Sequence, residues 1–256
     1  MRVSVIQTNI SWANKAANLK ATAAKLETLQ DKTDLVVLPE MFTTGFCTDL
    51  PELAESMEGE TVQLLQKWAL QFKMAIAGSF IAKEHNKNFN RGFIVLPTGN
   101  IQYADKRHLF SMGGENLFFN AGNQRLIVKY LDMTICLLIC YDLRFPVWAR
   151  NVQNQYDLLI FVANFPAKRI QNWDILLQAR SIENQCYICG VNRIGSDAKG
   201  INYNGHSVIL DYNAKQILTT DENKESINTI EIELKTLQEF REKMAFWKDA
   251  DSFKLL

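Results

Sequence analysis

Residues 34–40 read Asp34-Leu35-Val36-Val37-Leu38-Pro39-Glu40: a short apolar run closed by a proline and followed at once by an acid. An apolar run of this length, bounded by polar and turn-forming residues, predicts a strand buried on both faces. Proline cannot donate to the ladder, so Pro39 marks where the strand ends. Working backwards, residues 14–30 are rich in Ala, Leu and Lys and predict a helix, and residues 2–8 alternate as a strand. Forwards, Leu64, Leu65, Trp68 and Phe72 recur at helical spacing within 60–72, and a further strand is expected over 74–80. Strand, helix and strand in repeated order imply a layered α/β architecture.

Further along, strands are expected over 92–96 and 101–104, joined through the turn Pro97-Thr98-Gly99-Asn100. A long loop, 107–124, precedes strands over 125–130 and 133–139, and loops of that length commonly carry function. The second half predicts helix 147–153, strand 158–163, helix 172–184 and strand 187–192. A hairpin over 205–218, strand 227–232 and closing helix 235–243 follow. No Pro/Gly/Ser-rich linker divides residues 1–256, which read as a single domain.

Lys and Arg number 28 against 28 Asp and Glu, without blocks of one sign, so the basic footprint of a nucleic-acid-binding protein is missing. Apolar stretches such as 133–140 fall well short of the roughly 20 residues that span a bilayer. The opening Met1-Arg2-Val3-Ser4-Val5 runs into a strand without the features of a signal peptide, which makes a cytoplasmic protein the expectation. Five cysteines, an odd number, suggest free thiols. Cys136 and Cys140 lie four apart in one strand, about 13 Å at roughly 3.3 Å per residue, beyond disulfide reach. Cys186 and Cys189 sit in an apolar run with no second ligand pair, so they read as buried structural thiols rather than metal ligands. A small molecule is the natural partner.

Three chemically capable side chains stand at three strand ends: Glu40 after 34–38, Lys106 after 101–104, and Cys140 after 133–139. Ligands of α/β sheets bind beyond such ends. Taken singly, each has a plainer reading: a solvated carboxylate, a solvated basic loop, an inert core thiol. Taken together they supply a nucleophile, a base for its proton, and an ammonium for the negative charge that develops on a substrate oxygen. The backbone N–H of Tyr141, leaving the strand for a turn, is a second oxyanion donor. Phe42, Phe118, Phe165 and Trp173 are candidate pocket walls, and Arg144 either grips a substrate carboxylate or pairs with a nearby acid.

Leu-Pro-Glu-Met-Phe at 38–42, Asp-Lys-Arg-His-Leu-Phe at 105–110 and Cys-Tyr-Asp-Leu-Arg-Phe-Pro at 140–146 resemble the nitrilase superfamily of carbon-nitrogen hydrolases. Ala-Asn-Phe-Pro-Ala at 163–167, Ala-Arg-Ser-Ile-Glu-Asn-Gln at 179–185 and Gly-His-Ser at 205–207 extend the match over most of the chain. The resemblance implies a four-layer αββα sandwich, a Glu40–Lys106–Cys140 triad, a cysteine thioester, homodimers, and no metal or organic cofactor. It also implies that Glu115, in the loop after the lysine, positions Lys106 or the substrate. Where many relatives carry an acid after Arg-Phe-Pro, this chain has Val147-Trp148.

Residues 105–110 and the run Trp247-Lys248-Asp249-Ala250-Asp251 are similar to the bacterial omega-amidases. That branch implies hydrolysis of 2-oxoglutaramate or 2-oxosuccinamate to the 2-oxo acid and ammonia. Rival readings keep the triad for a nitrile, a carbamoyl group or another amide, or keep the fold as a non-catalytic binding protein.

Overall fold

The computed structural model describes residues 1–254. The chain opens with β1 (Arg2–Gln7), α1 (Lys15–Glu27), β2 (Leu35–Val37), α2 (Glu60–Phe72) and β3 (Ala75–Glu84). The three strands pair in parallel, Val3 beside Leu35 and Leu35 beside Ala75. From here β3 folds back into β4 (Lys87–Val95), and β5 (Ile101–Asp105) continues the meander. The expected strands 74–80 and 92–96 are thus the two roots of one long hairpin. Its tip, His85-Asn86, has φ of 47° and 60°, the left-handed pair that a two-residue hairpin turn requires. The polar sequence near that tip hid the pairing.

After α3 (Glu115–Phe118) come β6 (Leu126–Tyr130), β7 (Met133–Ile139), α4 (Pro146–Ala149), β8 (Leu158–Ala163), α5 (Ile170–Asn184) and β9 (Tyr187–Asn192). A short ribbon, β10 (Ile194–Ser196) and β11 (Asn202–Asn204), had no counterpart in the sequence reading. β12 (Val208–Leu210), β13 (Gln216–Thr219), β14 (Ser226–Glu231) and α6 (Leu234–Lys243) follow. Among the described residues the strands form two six-stranded sheets, β14-β1-β2-β3-β4-β5 and β13-β12-β9-β8-β7-β6, besides that ribbon.

Period-two alternation then builds four layers. Val3, Val5, Leu35 and Val37 of the first sheet meet Ile135, Leu137, Leu158 and Ile160 of the second in a shared core. Their neighbours Val36, Leu38 and Ile76 face outward onto Leu19 and Leu26 of α1 and Leu65 and Trp68 of α2. On the far side Leu159 and Phe161 pack beneath Trp173 and Leu177 of α5. Helices therefore cover both outer faces, the αββα arrangement. α5 approaches β9 so closely that a Cβ at Gly190 would lie 2.6 Å from Leu177 Cδ1 and 2.9 Å from Trp173 Cζ2.

One expected helix is shorter than its sequence suggests: α4 stops at Ala149, and a separate turn covers Val152–Asn154. Asn151 is the cause. Its N–H donates to Asn184 Oδ1 (2.8 Å) and its Nδ2 to Tyr156 O (2.9 Å) and Asn184 O (3.1 Å). These bonds to the end of α5 replace the helical ones.

Candidate active site

The ends of β2, β5, β7 and β8 converge. Beyond β2 the chain keeps pace with β3, Leu38 N donating to Ala77 O (2.8 Å) and Met41 N to Ser79 Oγ (2.9 Å). The turn just past Glu40 is made with Met41 at a φ of 47°, and Glu40 is fully buried. Lys106 N continues the ladder by donating to Asn90 O (2.9 Å), which carries its side chain into the same buried space. Cys140 opens a 3-10 turn, Cys140–Arg144, at a φ of 44°. A non-glycine residue in the left-handed region is strained, and such strain concentrates at functional sites.

Lys106 Nζ lies between two carboxylates, 3.0 Å from Glu40 Oε1 and 3.1 and 3.0 Å from the two oxygens of Glu115. Asn90 Nδ2 braces both acids, donating to Glu40 Oε1 (2.8 Å) and Glu115 Oε1 (3.2 Å). Glu40 Oε2 accepts the backbone N–H of Asn164 at the end of β8 (2.8 Å) and its Nδ2 (3.2 Å). Glu115 Oε2 accepts Phe110 N (2.6 Å), which ties the lysine loop to the acid. The geometry gives Glu115 contact with Lys106, one of the two roles the resemblance allowed it.

Burial works against the Lys106 ammonium, yet Glu115 and Glu40 hold its pKa above the ordinary lysine value. Burial, seconded by the negative Glu40, pushes Glu115 up, with Lys106 pulling the other way. Burial likewise pushes the Cys140 thiol well up, Glu40 adds to the rise, and Lys106 opposes it. Cys140 is therefore a thiol at neutral pH, and its attack on a carbonyl needs a base beside it. Cys47, Cys136, Cys186 and Cys189 are fully buried, whereas Cys140 is partly exposed and lines a cavity.

Asp142 fastens the nucleophile turn to the lysine loop. Its Oδ1 accepts His108 N (2.9 Å) and faces His108 Nδ1 (2.8 Å), while Oδ2 accepts Ile139 N (3.1 Å). Arg180 Nε and Nη2 hold Leu143 O from the other side (3.1 and 2.7 Å).

The cavity has a volume of about 390 Å³ and reaches Cys140 and Lys106. Phe46, Phe110, Tyr141 and Phe165 supply aromatic wall; Arg144 and Arg169 supply charge. Of the residues proposed from sequence, Phe165, Arg144 and Tyr141 line this space, and Phe42, Phe118 and Trp173 do not. Phe42 turns into the outer core of the first sheet, 5.9 Å from the Phe93 ring. Trp173 is fully buried under α5, its Nε1 donating to His206 O (3.0 Å). Phe118 sits exposed on α3. Each is apolar and near a motif, which is why sequence alone did not separate wall from core.

Asn90, Asn164, Phe46, Phe110, Arg169 and Tyr203 were not anticipated. Asn164 follows β8 directly, so the strand-end rule that selected Glu40 and Cys140 would have found it. Asn90, inside β4, carries no comparable signal. Among the described residues no cluster of three or more His, Cys, Asp or Glu side chains is arranged to hold a metal, and no helix is long and apolar enough to cross a membrane.

Comparison with known proteins gives a consistent result. The profile of the carbon-nitrogen hydrolase family matches residues 2–242. Omega-amidase YafV of Escherichia coli K12 is 40% identical over 255 residues, 100% of this chain and 98% of that protein. The 2-oxoglutaramate amidase of Bacillus subtilis is 32% identical over 252 residues, 96% of each chain. Among solved structures, a CN-hydrolase superfamily protein from Xanthomonas campestris with an arsenic adduct in its active site superposes with a TM-score of 0.98. It is 38% identical and covers 100% of this chain and 99% of its own.

Proposed function

The chain belongs to the carbon-nitrogen hydrolase family, and from that premise we propose that it is an omega-amidase with Cys140 as nucleophile, Glu40 as general base and Lys106 as oxyanion partner. It is a hydrolase of carbon-nitrogen bonds other than peptide bonds, and its partner is a small amide. The observation that carries the proposal is the partly exposed Cys140, held in a strained turn in the wall of a cavity that also reaches Lys106, itself bridged to Glu40 and Glu115.

Cys140 Sγ attacks the amide carbon while Glu40 accepts the thiol proton. Negative charge collects on the amide oxygen, where Lys106 Nζ and the Tyr141 N–H stabilise it. Preorganised donors of this kind each contribute roughly 3–4 kcal/mol. Glu40 then returns the proton to the leaving nitrogen, the C–N bond breaks, ammonia departs and a thioester remains on Cys140. Glu40 next takes a proton from water as its oxygen attacks the thioester; the carboxylic acid leaves and the thiol is restored. Glu115 holds Lys106 in position throughout.

The substrate class is the terminal amide of a short 2-oxo dicarboxylic acid, 2-oxoglutaramate or 2-oxosuccinamate. Support comes from the omega-amidase and 2-oxoglutaramate amidase relatives. Arg144 in the cavity wall suits the distal carboxylate, and the aromatic walls suit a short chain. The test is kcat/KM for 2-oxoglutaramate against glutamine, asparagine and simple nitriles. A nitrile or neutral amide preferred by tenfold, about 1.4 kcal/mol, would replace this substrate class.

We further propose one functional domain, a homodimer and a cytoplasmic location. β14 returning to pair with β1 supports the first. Ile175 and Ile182, exposed seven residues apart on one face of α5, support pairing through that helix. Five unpaired cysteines fit a reducing compartment.

A further inference from the structure

Two guanidiniums in the cavity wall have no counter-ion among the described residues. Arg144 and Arg169 both line the cavity with Cys140. Among the described residues neither comes within 4.0 Å of a carboxylate oxygen. Each rests on an aromatic ring instead: Arg144 Cζ lies 5.9 Å from the centre of Phe165, and Arg169 Cζ 5.2 Å from that of Phe110. A cation–π contact of this kind leaves the guanidinium N–H groups available for a planar, two-toothed grip on a carboxylate.

The other charges of the wall are already engaged. Lys199 Nζ is 3.3 Å from Asp49. Asp197 is the one acid among the lining residues described. Its Oδ1 accepts Lys199 N and Ile201 N (2.9 Å each) and its Oδ2 accepts the Tyr203 hydroxyl (2.9 Å). At the buried end, Glu40 and Glu115 share Lys106, two carboxylates to one ammonium. The two arginines thus draw a substrate anion to their part of the cavity, which leaves the amide end of an omega-amide for the thiol. A 2-ammonium group next to that carboxylate would meet two like charges.

We propose that Arg169 is a specificity-determining residue which, with Arg144, grips the carboxylate end of the substrate and rejects 2-amino acids, so that the site takes 2-oxo or unsubstituted omega-amides and excludes asparagine and glutamine. This rests on the omega-amidase reading and adds to it the residue that reads the far end of the substrate. Arg169 had no reading from sequence because Lys168-Arg169 looks like an ordinary solvated pair.

Ammonia release from succinamate, asparagine and butyramide tests it, since these differ by a 2-ammonium and by a carboxylate. The proteins are the wild type, Arg169→Gln, Arg169→Glu and Arg169→Lys, each checked for folding by circular dichroism. The wild type is expected to prefer succinamate over both others. In Arg169→Gln the succinamate-to-butyramide ratio of kcat/KM should fall at least about tenfold, chiefly through KM, while Arg169→Lys, which keeps the charge but not the two-toothed edge, should fall between Arg169→Gln and wild type. Arg169→Glu should move the asparagine-to-succinamate ratio toward asparagine by about tenfold or more; if that variant does not fold, the Gln and Lys pair carries the test. Equal losses on succinamate and butyramide would overturn the role of Arg169 and leave the omega-amidase reading standing. A wild type that hydrolyses butyramide as well as succinamate would overturn both.

Discussion

Replacing Glu40 by glutamine keeps the shape of the side chain and removes its ability to take a proton. Glu40 accepts from Lys106 Nζ (3.0 Å), Asn90 Nδ2 (2.8 Å), Asn164 N (2.8 Å) and Asn164 Nδ2 (3.2 Å). In glutamine one oxygen becomes an amide NH₂ that faces donors, which costs about 1–3 kcal/mol for the groups left unpaired. Against this, the buried cluster changes from two carboxylates per ammonium to one, which relieves desolvation. The net loss should therefore stay below about 3 kcal/mol, a fall in Tm of no more than roughly 10 °C for a chain of this size.

Turnover should respond far more, because a general base contributes about 10²–10⁴-fold, or roughly 3–5 kcal/mol. The reactivity of the thiol should move the opposite way. After burial, Glu40 is the largest influence raising the Cys140 pKa, so its neutralisation lets more thiolate form at pH 8. Iodoacetamide should then alkylate Cys140 faster in Glu40→Gln than in wild type, while ammonia release collapses. Alkylation followed by peptide mass mapping, beside a steady-state ammonia assay, measures both. Turnover within tenfold of wild type in a folded protein would refute Glu40 as the proton acceptor, and alkylation no faster than in wild type would refute the electrostatic effect of Glu40 on the thiol.

Removing Lys106 should cost more stability than Glu40→Gln, since Lys106→Ala strands two buried carboxylates; breaking a buried pair costs about 3–5 kcal/mol, readable as a larger drop in Tm together with severe loss of activity. Gly190→Ala should destabilise by about 1–3 kcal/mol through overpacking, because the new Cβ meets Leu177 and Trp173, and chemical denaturation reports it. Burial holds the Cys47 and Cys136 thiols up at about 12, whereas unfolded thiols ionise near pH 8.5. A raised folded pKa means this contribution is complete below about pH 8 and lost as pH climbs toward 12, so Tm should fall between pH 9 and pH 11 and recover when pH is lowered. Light scattering should give twice the mass of one chain at micromolar concentration, and a monomer would refute the dimer.

The pieces legible in sequence were those with a local signature. Pro39 after Leu35–Val37, and Cys140 after Met133–Ile139, announce strand ends, and the strand-end rule brings Glu40, Lys106 and Cys140 together. α2 has the expected bounds because its apolar residues recur at helical spacing, and β7, β8 and β9 because their runs are largely apolar. Pairings between distant segments were not legible: Arg2 lies beside Glu231 in the β1–β14 ladder, and no local pattern encodes such a separation. Asn90 braces Glu40 and Glu115 from within a strand, where its neighbours disclose nothing of a partner 50 residues away. Aromatic residues were the least readable, since Phe165 and Trp173 are of one chemical kind and share one buried cluster, their rings 5.4 Å apart, yet only Phe165 reaches the cavity.

The central claim is that catalysis passes through an acyl group on one particular sulfur. Intact-mass measurement of the protein, quenched in acid during turnover of 2-oxoglutaramate, tests it most directly. An adduct of the acyl mass that maps to Cys140 is expected, and it should be lost, with ammonia release, in Cys140→Ala. An acyl adduct on Cys136, Cys186 or Cys189, or undiminished ammonia release from Cys140→Ala, would contradict it.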